Sequence, residues 1–222
     1  GDGAALSLAD AFLGDAGCAR VMRRLRGSST LVRLDLRGNH IGADGATAIA
    51  DALRANRSLQ VLSLEWNSVG AIDGAVRALA AALEVNRTLQ DLDLRNNMVG
   101  PDGGAALARA MARNAGLRVL DLRWNEVGVA GGRAFAAALA TDNRSLRELR
   151  LSGNGARADH LEAIRRALAR NAHPDAETCA AQVRLANLAA RLRAEGRAAS
   201  RKPAHGPRRR RRRRGGGGGH HC

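Results

Sequence analysis

The stretch LRVLDLRWNEVGVAGGRAFAAALATDN, from Leu117 to Asn143, contains one whole structural unit. Leu120 and Leu122 alternate with charged residues, Asn125 marks a turn, and an alanine-rich segment with helical spacing follows. Alternation with period two buries one face of a strand, whereas apolar residues at i, i+3, i+4 and i+7 make one stripe of a helix. A single strand and helix cannot close a core alone, so the unit needs neighbours of its own kind.

Those neighbours are present. Five segments read L-x-x-L-x-L-x-x-N: Leu31 to Asn39, Leu59 to Asn67, Leu89 to Asn97, Leu117 to Asn125 and Leu146 to Asn154, starting 28, 30, 28 and 29 residues apart. A degenerate copy around Leu6 and Leu8 precedes them, with Ala11 in the asparagine position. This is the leucine-rich repeat signature at the long end of its range. It predicts the α/β class: a leucine-rich repeat horseshoe, a right-handed α/β solenoid of the ribonuclease-inhibitor type with about six repeats. Parallel strands stack ~4.8 Å apart and helix axes need ~8–10 Å, so the strands should line the inner, concave wall.

Each copy carries the same local instructions. Leu34 and Leu36 should face inward, and Arg33, Asp35 and Arg37 outward. The Asn39 amide is expected to satisfy turn groups in its own and the adjacent coil. Gly42 and Gly45 allow a tight approach into a helix, where Ala46, Ile49, Ala50 and Leu53 form the buried stripe. Small residues at Ala50, Ala80, Ala108 and Ala136 should keep helices close to strands. Asn56, with Asn86, Asn114, Asn143 and Asn171 at the same place, is expected to end each helix in the left-handed conformation. The last copy lacks the Val-Gly turn and passes to Asp159-His160-Leu161-Glu162, read as an N-terminal capping pair. Leu161, Ile164 and Leu168 follow as its stripe.

Composition divides the chain. The formal charge is +15, but up to Asn171 there are 23 arginines against 18 acids, and after it 13 basic residues against 3 acids. The boundaries read from this are residues 5–171 for the repeats, 172–203 for a short helix, and 204–222 for an Arg/Gly-rich tail. The helix would follow the His173-Pro174 break, carry Ala181, Leu185, Leu188 and Leu192 on one stripe, and be the candidate start of a coiled coil. The tail has nothing apolar to bury and is expected to be disordered. Cys18, Cys179 and Cys222 are odd in number and in no metal-ligand spacing, which favours a reduced, cytoplasmic setting. No apolar run approaches the ~20 residues of a membrane span. The chain opens at Gly1, without a Met, within what already reads as a repeat, so the absence of a signal peptide carries little weight.

The sequence holds no catalytic constellation. His40 and His160 lack evident partners, and neither metal-ligand spacing nor a phosphate-cradling loop occurs. The expectation is a non-enzymatic protein with no cofactor, no metal and no small-molecule substrate. Its candidate site is the inner wall. LDLR recurs at Leu34, Leu92 and Leu120, which places Asp35, Asp93 and Asp121 beside Arg37, Arg95 and Arg123 on the exposed face. Arg33, Glu65, Asp91, Glu148 and Arg150 complete the wall. Asp93 and Asp121 should stand ~5 Å apart on adjacent strands, their repulsion relieved by the arginine column. Such a lattice is either solvated charge or a docking surface for a charged protein. Trp66 and Trp124 each precede the repeat asparagine, two coils and ~10 Å apart. They either anchor a partner or pack on Asn96 and the turn. Arg208–Arg214 offers non-specific attraction to nucleic acid or an acidic surface, without interleaved aromatics for base stacking.

LSLEWNSVG, LDLRNNMVG and LDLRWNEVGVAGGRA, in that order, resemble the repeat domain of the leucine-rich repeat-containing protein 45 family. The resemblance covers Leu6 to Asn171 and is specific at Glu65-Trp66-Asn67, Arg123-Trp124-Asn125 and Gly131-Gly132-Arg133-Ala134. It implies a centrosomal scaffold that helps tether centriole pairs through a fibrous linker and contributes to cilium assembly. The centrosome or ciliary basal body is then the expected location. In that family the repeats precede a very long coiled coil, of which Asp175–Ala199 would be only the start. Two other repeat classes are similar. Ran GTPase-activating proteins would imply a GTPase regulator, but they carry an acidic C-terminal segment where this one is basic. NOD-like receptors share the repeats, yet no nucleotide-binding domain is present here.

Overall fold

Residues 3–141 and 143–172 are described by the computed structural model. Six strands alternate with six helices: β1 (Ala4–Ser7), α1 (Gly14–Arg26), β2 (Leu31–Asp35), α2 (Ala43–Ala55), β3 (Val61–Ser63), α3 (Asp73–Val85), β4 (Asp91–Asp93), α4 (Pro101–Arg113), β5 (Val119–Asp121), α5 (Gly128–Thr141), β6 (Glu148–Arg150) and α6 (Ala158–Ala172). The strands form one parallel sheet in sequence order, β1 at one edge and β6 at the other. Register follows the repeat, with Leu34, Leu62, Leu92, Leu120 and Leu149 as successive partners. Each helix packs against the helices of adjacent coils. A parallel sheet in strict sequence order, with a helix in every crossover, is a solenoid.

The core is the leucine frame read from the sequence. Leu34, Leu36, Ala46, Ile49, Ala50 and Leu53 are buried, as are their counterparts in the next coils, down to Leu146 and Leu151. Burying one such leucine contributes about 1.5–3 kcal/mol. The degenerate first coil is real, and its β1 is the edge strand of the sheet. Leu6 there is 41 % exposed although it pairs with buried Leu34.

Two asparagine ladders tie the coils together. In the first, the Asn125 side chain donates to the carbonyls of Leu94 and Leu122, at 2.8 and 2.9 Å. Its Oδ1 accepts the amides of Asn97 and Val99, at 3.1 and 2.9 Å. Asn39, Asn67, Asn97 and Asn154 bridge adjacent coils in the same manner. The second ladder corrects the expectation for the helix ends. Asn56, Asn86 and Asn114 are extended and not left-handed, with φ of −68°, −75° and −73°. Their side chains explain the choice of residue instead. Asn56 donates to the Leu25 and Ser28 carbonyls of the preceding coil and accepts the amides of Ser58 and Leu59. Asn114 and Asn143 repeat this. The helix ends are thus satisfied across coils and not by a left-handed turn.

The start of α2 is also served from the neighbouring coil. Gly42 precedes α2 without a side chain of its own, and Asp15 Oδ1 of α1 accepts the Gly42 and Gly45 amides at 2.6 and 3.0 Å. In the last coil α6 begins at Ala158, so Asp159 lies inside its first turn and not at the cap. Asp159 accepts its neighbour's amide and Arg157, while Glu162 pairs with Arg165, so the expected capping pair does not form. Ile164 and Ala167 carry the buried stripe of α6, with Leu168 partly buried and Leu161 at the exposed margin. The helix read at Asp175–Ala199, the His173-Pro174 break, the Arg208–Arg214 run, Cys179 and Cys222 lie outside the described residues.

Candidate functional site

The sheet presents three columns of side chains on its exposed face. The first runs Arg33, Val61, Asp91, Val119, Glu148, and the second Asp35, Ser63, Asp93, Asp121, Arg150. The third, just past the strand ends, is Arg37, Glu65, Arg95 and Arg123. Every LDLR arginine folds back on its own aspartate. Arg37, Arg95 and Arg123 each donate through Nε to Asp35, Asp93 and Asp121, at 3.0–3.1 Å. Arg95 also reaches Glu65 at 2.7 Å, and Arg150 joins Asp121 at 3.1 Å to Glu148 at 2.7 Å.

Asp93 and Asp121 are direct partners across β4 and β5, as the register required. Their repulsion is relieved by Arg95, 2.7 Å from Asp93 and 3.8 Å from Asp121. Burial works against the Asp121 charge, yet hydrogen bonds from Arg123 and Arg150 override it and hold its pKa below the ordinary value. Asp91 stands in the opposite situation. Among the described residues it has no ion pair, and burial together with the charges of Asp93, Asp121 and Glu148 pushes its pKa up against the pull of Arg150. Arg33 likewise has no carboxylate within 4 Å among the described residues. The wall is therefore a self-neutralised lattice with two unanswered charges, Asp91 and Arg33. Beside Arg33 lies a shallow hollow of about 470 Å³, lined by Leu6, Ser7, Arg37, Val61 and Ser63 among others. The Ser63 hydroxyl on its wall has no hydrogen-bond partner among the described residues.

The rim beyond the strands carries the strained residues. The position before the repeat asparagine has positive φ in every coil: Asp10 (55°), Gly38 (63°), Trp66 (56°), Asn96 (52°), Trp124 (57°) and Gly153 (77°). The amides there donate to the next coil, Trp66 to the Arg95 carbonyl at 3.1 Å and Trp124 to that of Ser152 at 3.0 Å. Coil stacking thus imposes the left-handed conformation. Glycine, asparagine and aspartate tolerate it, whereas a bulky side chain is an outlier there. Both tryptophans are also exposed, Trp66 by 65 % and Trp124 by 63 %. The Trp124 ring lies over Gly153 of the next coil, where a Cβ would stand 2.6 Å from its Cε3. Phe12, Ile72, Met98 and Val129 are exposed along the same edge, and Phe12 stacks on His40 with ring centroids 5.7 Å apart.

A leucine-rich repeat family model matches residues 27–50, 85–108, 113–136 and 142–155. The Caenorhabditis elegans tropomodulin C-terminal domain superposes with a TM-score of 0.58 at 18 % identity, over 79 % of this chain and 98 % of that one. Leiomodin-1 actin-binding site 2 superposes with a TM-score of 0.53 at 18 % identity, over 82 % and 88 %. The chain is an α/β leucine-rich repeat solenoid. Leucine-rich repeat-containing protein 45 of Gallus gallus is 40 % identical over 67 residues, which is 30 % of this chain and 10 % of that protein. The chain thus spans about a tenth of that relative.

The solenoid brings the wall residues named from the sequence onto one face. Trp66 and Trp124 sit at its edge, on the rim and not within the charged columns. Trp124 packs on Gly153 of the following coil, whereas the neighbour considered from sequence, Asn96, belongs to the preceding one. Phe12, Ile72, Met98 and Val129 were missed. Their signal was a large apolar residue just after the repeat asparagine or at the start of the next helix. Cys18 is fully buried, and burial pushes its thiol up to about 12. Among the described residues no group of His, Cys, Asp or Glu could hold a metal, and no helix is long and apolar enough to cross a membrane.

Proposed function

We propose that this leucine-rich repeat chain is a non-enzymatic interaction scaffold that grips a protein partner between rim and inner wall, with Trp66 and Trp124 as anchors. One observation carries the reading: just before the repeat asparagine, two tryptophans occupy strained, exposed positions where the other coils have Gly, Asn or Asp, and Phe12 and Met98 are exposed at positive φ two residues further on in their coils. Strain of this kind persists where it serves a site. The exposed edge of Phe12, Ile72, Met98 and Val129 supports it. A fitting partner presents apolar side chains ~10 Å apart to the two rings. It also brings a basic group to Asp91 and an acidic one to Arg33. The 40 % identity with a stretch of the chicken protein supports a centrosomal or basal-body setting as the finer reading.

The experiment is proximity labelling in a ciliated cell with the full chain and with its Trp66→Asn/Trp124→Asn variant. Centriolar or basal-body proteins enriched by the first and lost with the second are the expected result. The same proteins enriched by both would refute the tryptophan anchors. Ran and nuclear-transport proteins in their place would refute the centrosomal setting.

A further inference from the structure

The opposite edge of the solenoid, where helices end and strands begin, has a separate character. After each helix-end asparagine comes a two-residue link: Arg57-Ser58, Arg87-Thr88, Ala115-Gly116 and Arg144-Ser145. Arg57, Arg87 and Arg144 hold equivalent places, and Arg118 and Arg147 form a second, adjacent pair bridged by the Arg147 amide donating to the Arg118 carbonyl at 2.8 Å. All five are exposed, and none has a carboxylate within 4 Å among the described residues. The acids described on this edge, Asp51 and Glu84, are already engaged by Arg54 and Arg113.

The row is interrupted once. Gly116 has to be small, since a Cβ there would stand 2.7 Å from the Arg87 carbonyl oxygen. With Ala115 beside it, the link leaves a notch of about 330 Å³ whose lining includes Arg113, Arg118 and Arg144. The guanidinium groups are held in place and not free-swinging. Arg118 donates to the Ser145 carbonyl and Arg144 to that of Asn143, which leaves further N–H groups of each fork for a ligand.

Spacing and composition select the ligand. One coil advances ~5 Å on the strand side and up to ~10 Å on the helix side. Same-face side chains of an extended peptide recur every ~6.8 Å, within that range. Nucleic acid is disfavoured because this edge has no aromatic side chain on which a base could stack. We propose that this edge binds an extended acidic protein segment, one carboxylate of which enters the notch at Ala115-Gly116. This surface is independent of the tryptophan rim.

The test uses the full chain with Arg208–Arg214 replaced by serine, so that the tail cannot hold the probe. Fluorescence anisotropy with a labelled ten-residue glutamate peptide is read for Arg118→Gln/Arg144→Gln and for Arg20→Gln/Arg24→Gln. The second pair removes the same charge from the exposed face of α1. The proposal expects about a tenfold loss of affinity in the first pair and less than about twofold in the second. Equal losses would reduce the effect to net charge and overturn the site, as would no loss in the first pair. Tighter binding of a ten-nucleotide oligothymidylate, lost with the same two arginines, would overturn the choice of ligand.

Discussion

Replacing both tryptophans by asparagine separates an anchor from a structural residue. Trp124 is 63 % exposed, so about 90 Å² of a side chain of roughly 250 Å² is covered, worth at most about 2 kcal/mol. Asparagine recovers part of that contact. It also relieves a left-handed backbone that costs a bulky residue about 1–2 kcal/mol. Asn96 already occupies the equivalent position with φ of 52°. The two effects nearly cancel, so each Trp→Asn change should alter stability by about 1 kcal/mol or less. A tryptophan built into the core would cost about 3–5 kcal/mol. Urea unfolding followed by far-ultraviolet circular dichroism reads the difference without relying on tryptophan fluorescence. Partner affinity should fall by about 2 kcal/mol or more per anchor, roughly 30-fold. A stability loss above about 3 kcal/mol at either site would refute the reasoning, because the rings would then be holding the coils together.

Asn125→Ala should do what Trp124→Asn does not. It orphans the buried amides of Asn97 and Val99 and leaves two carbonyls short of a donor, a loss of about 3 kcal/mol or more by urea unfolding. Asp91 and Asp121 should respond to pH with opposite signs. The folded-state pKa of Asp91 is raised, so its protonated form is favoured in the fold and stability falls as pH rises past its ordinary value near 4. Asp91→Asn is therefore stabilising at pH 7, with the gain vanishing below about pH 4 in thermal melts. The folded-state pKa of Asp121 is lowered, so its contribution is present above about pH 4 and lost as pH falls through the folded value. Asp121→Asn should cost about 2 kcal/mol at pH 7, since Arg123 and Arg150 lose their shared acceptor, and much less at pH 2–3. The Cys18 thiol should resist alkylation in the native protein and react once urea unfolds it, which peptide mass mapping can assign.

The repeat spacing made the solenoid legible because leucines such as Leu34 and Leu36 have one physical destination, the dry side of a strand. The Asn39 ladder was legible for a similar reason, as a buried amide must pair with whatever the next coil offers. The helix-end asparagines were misread because asparagine serves two purposes at such sites: it tolerates positive φ, and it can also bridge backbones from an extended conformation. Only the position of the neighbouring coil decides between them. The wall charges were visible, but not their pairing. Whether Arg95 turns to Asp93, Glu65 or a partner depends on side-chain geometry, and Asp91 becomes the odd carboxylate only once the others are spoken for. The rim signal was present but unread: Asp10, Gly38, Asn96 and Gly153 form a column of residues suited to positive φ, and Trp66 and Trp124 interrupt it.

That interruption is tolerable because the cost and the support come from different parts of the same repeat. The left-handed turn is fixed by backbone hydrogen bonds to the next coil and by the asparagine that follows, which holds groups on both sides. The side chain at the turn contributes little to this, so its identity is free to vary. A position whose backbone is held by its neighbours can carry a tryptophan at modest cost, and the rigid turn limits how the ring moves. An anchor needs both properties, since a side chain already restrained has less freedom to lose when a partner binds. The fold thus places its adaptable residues where its backbone is most tightly determined, and a solenoid of near-identical coils can present a distinct surface through two substitutions on its rim.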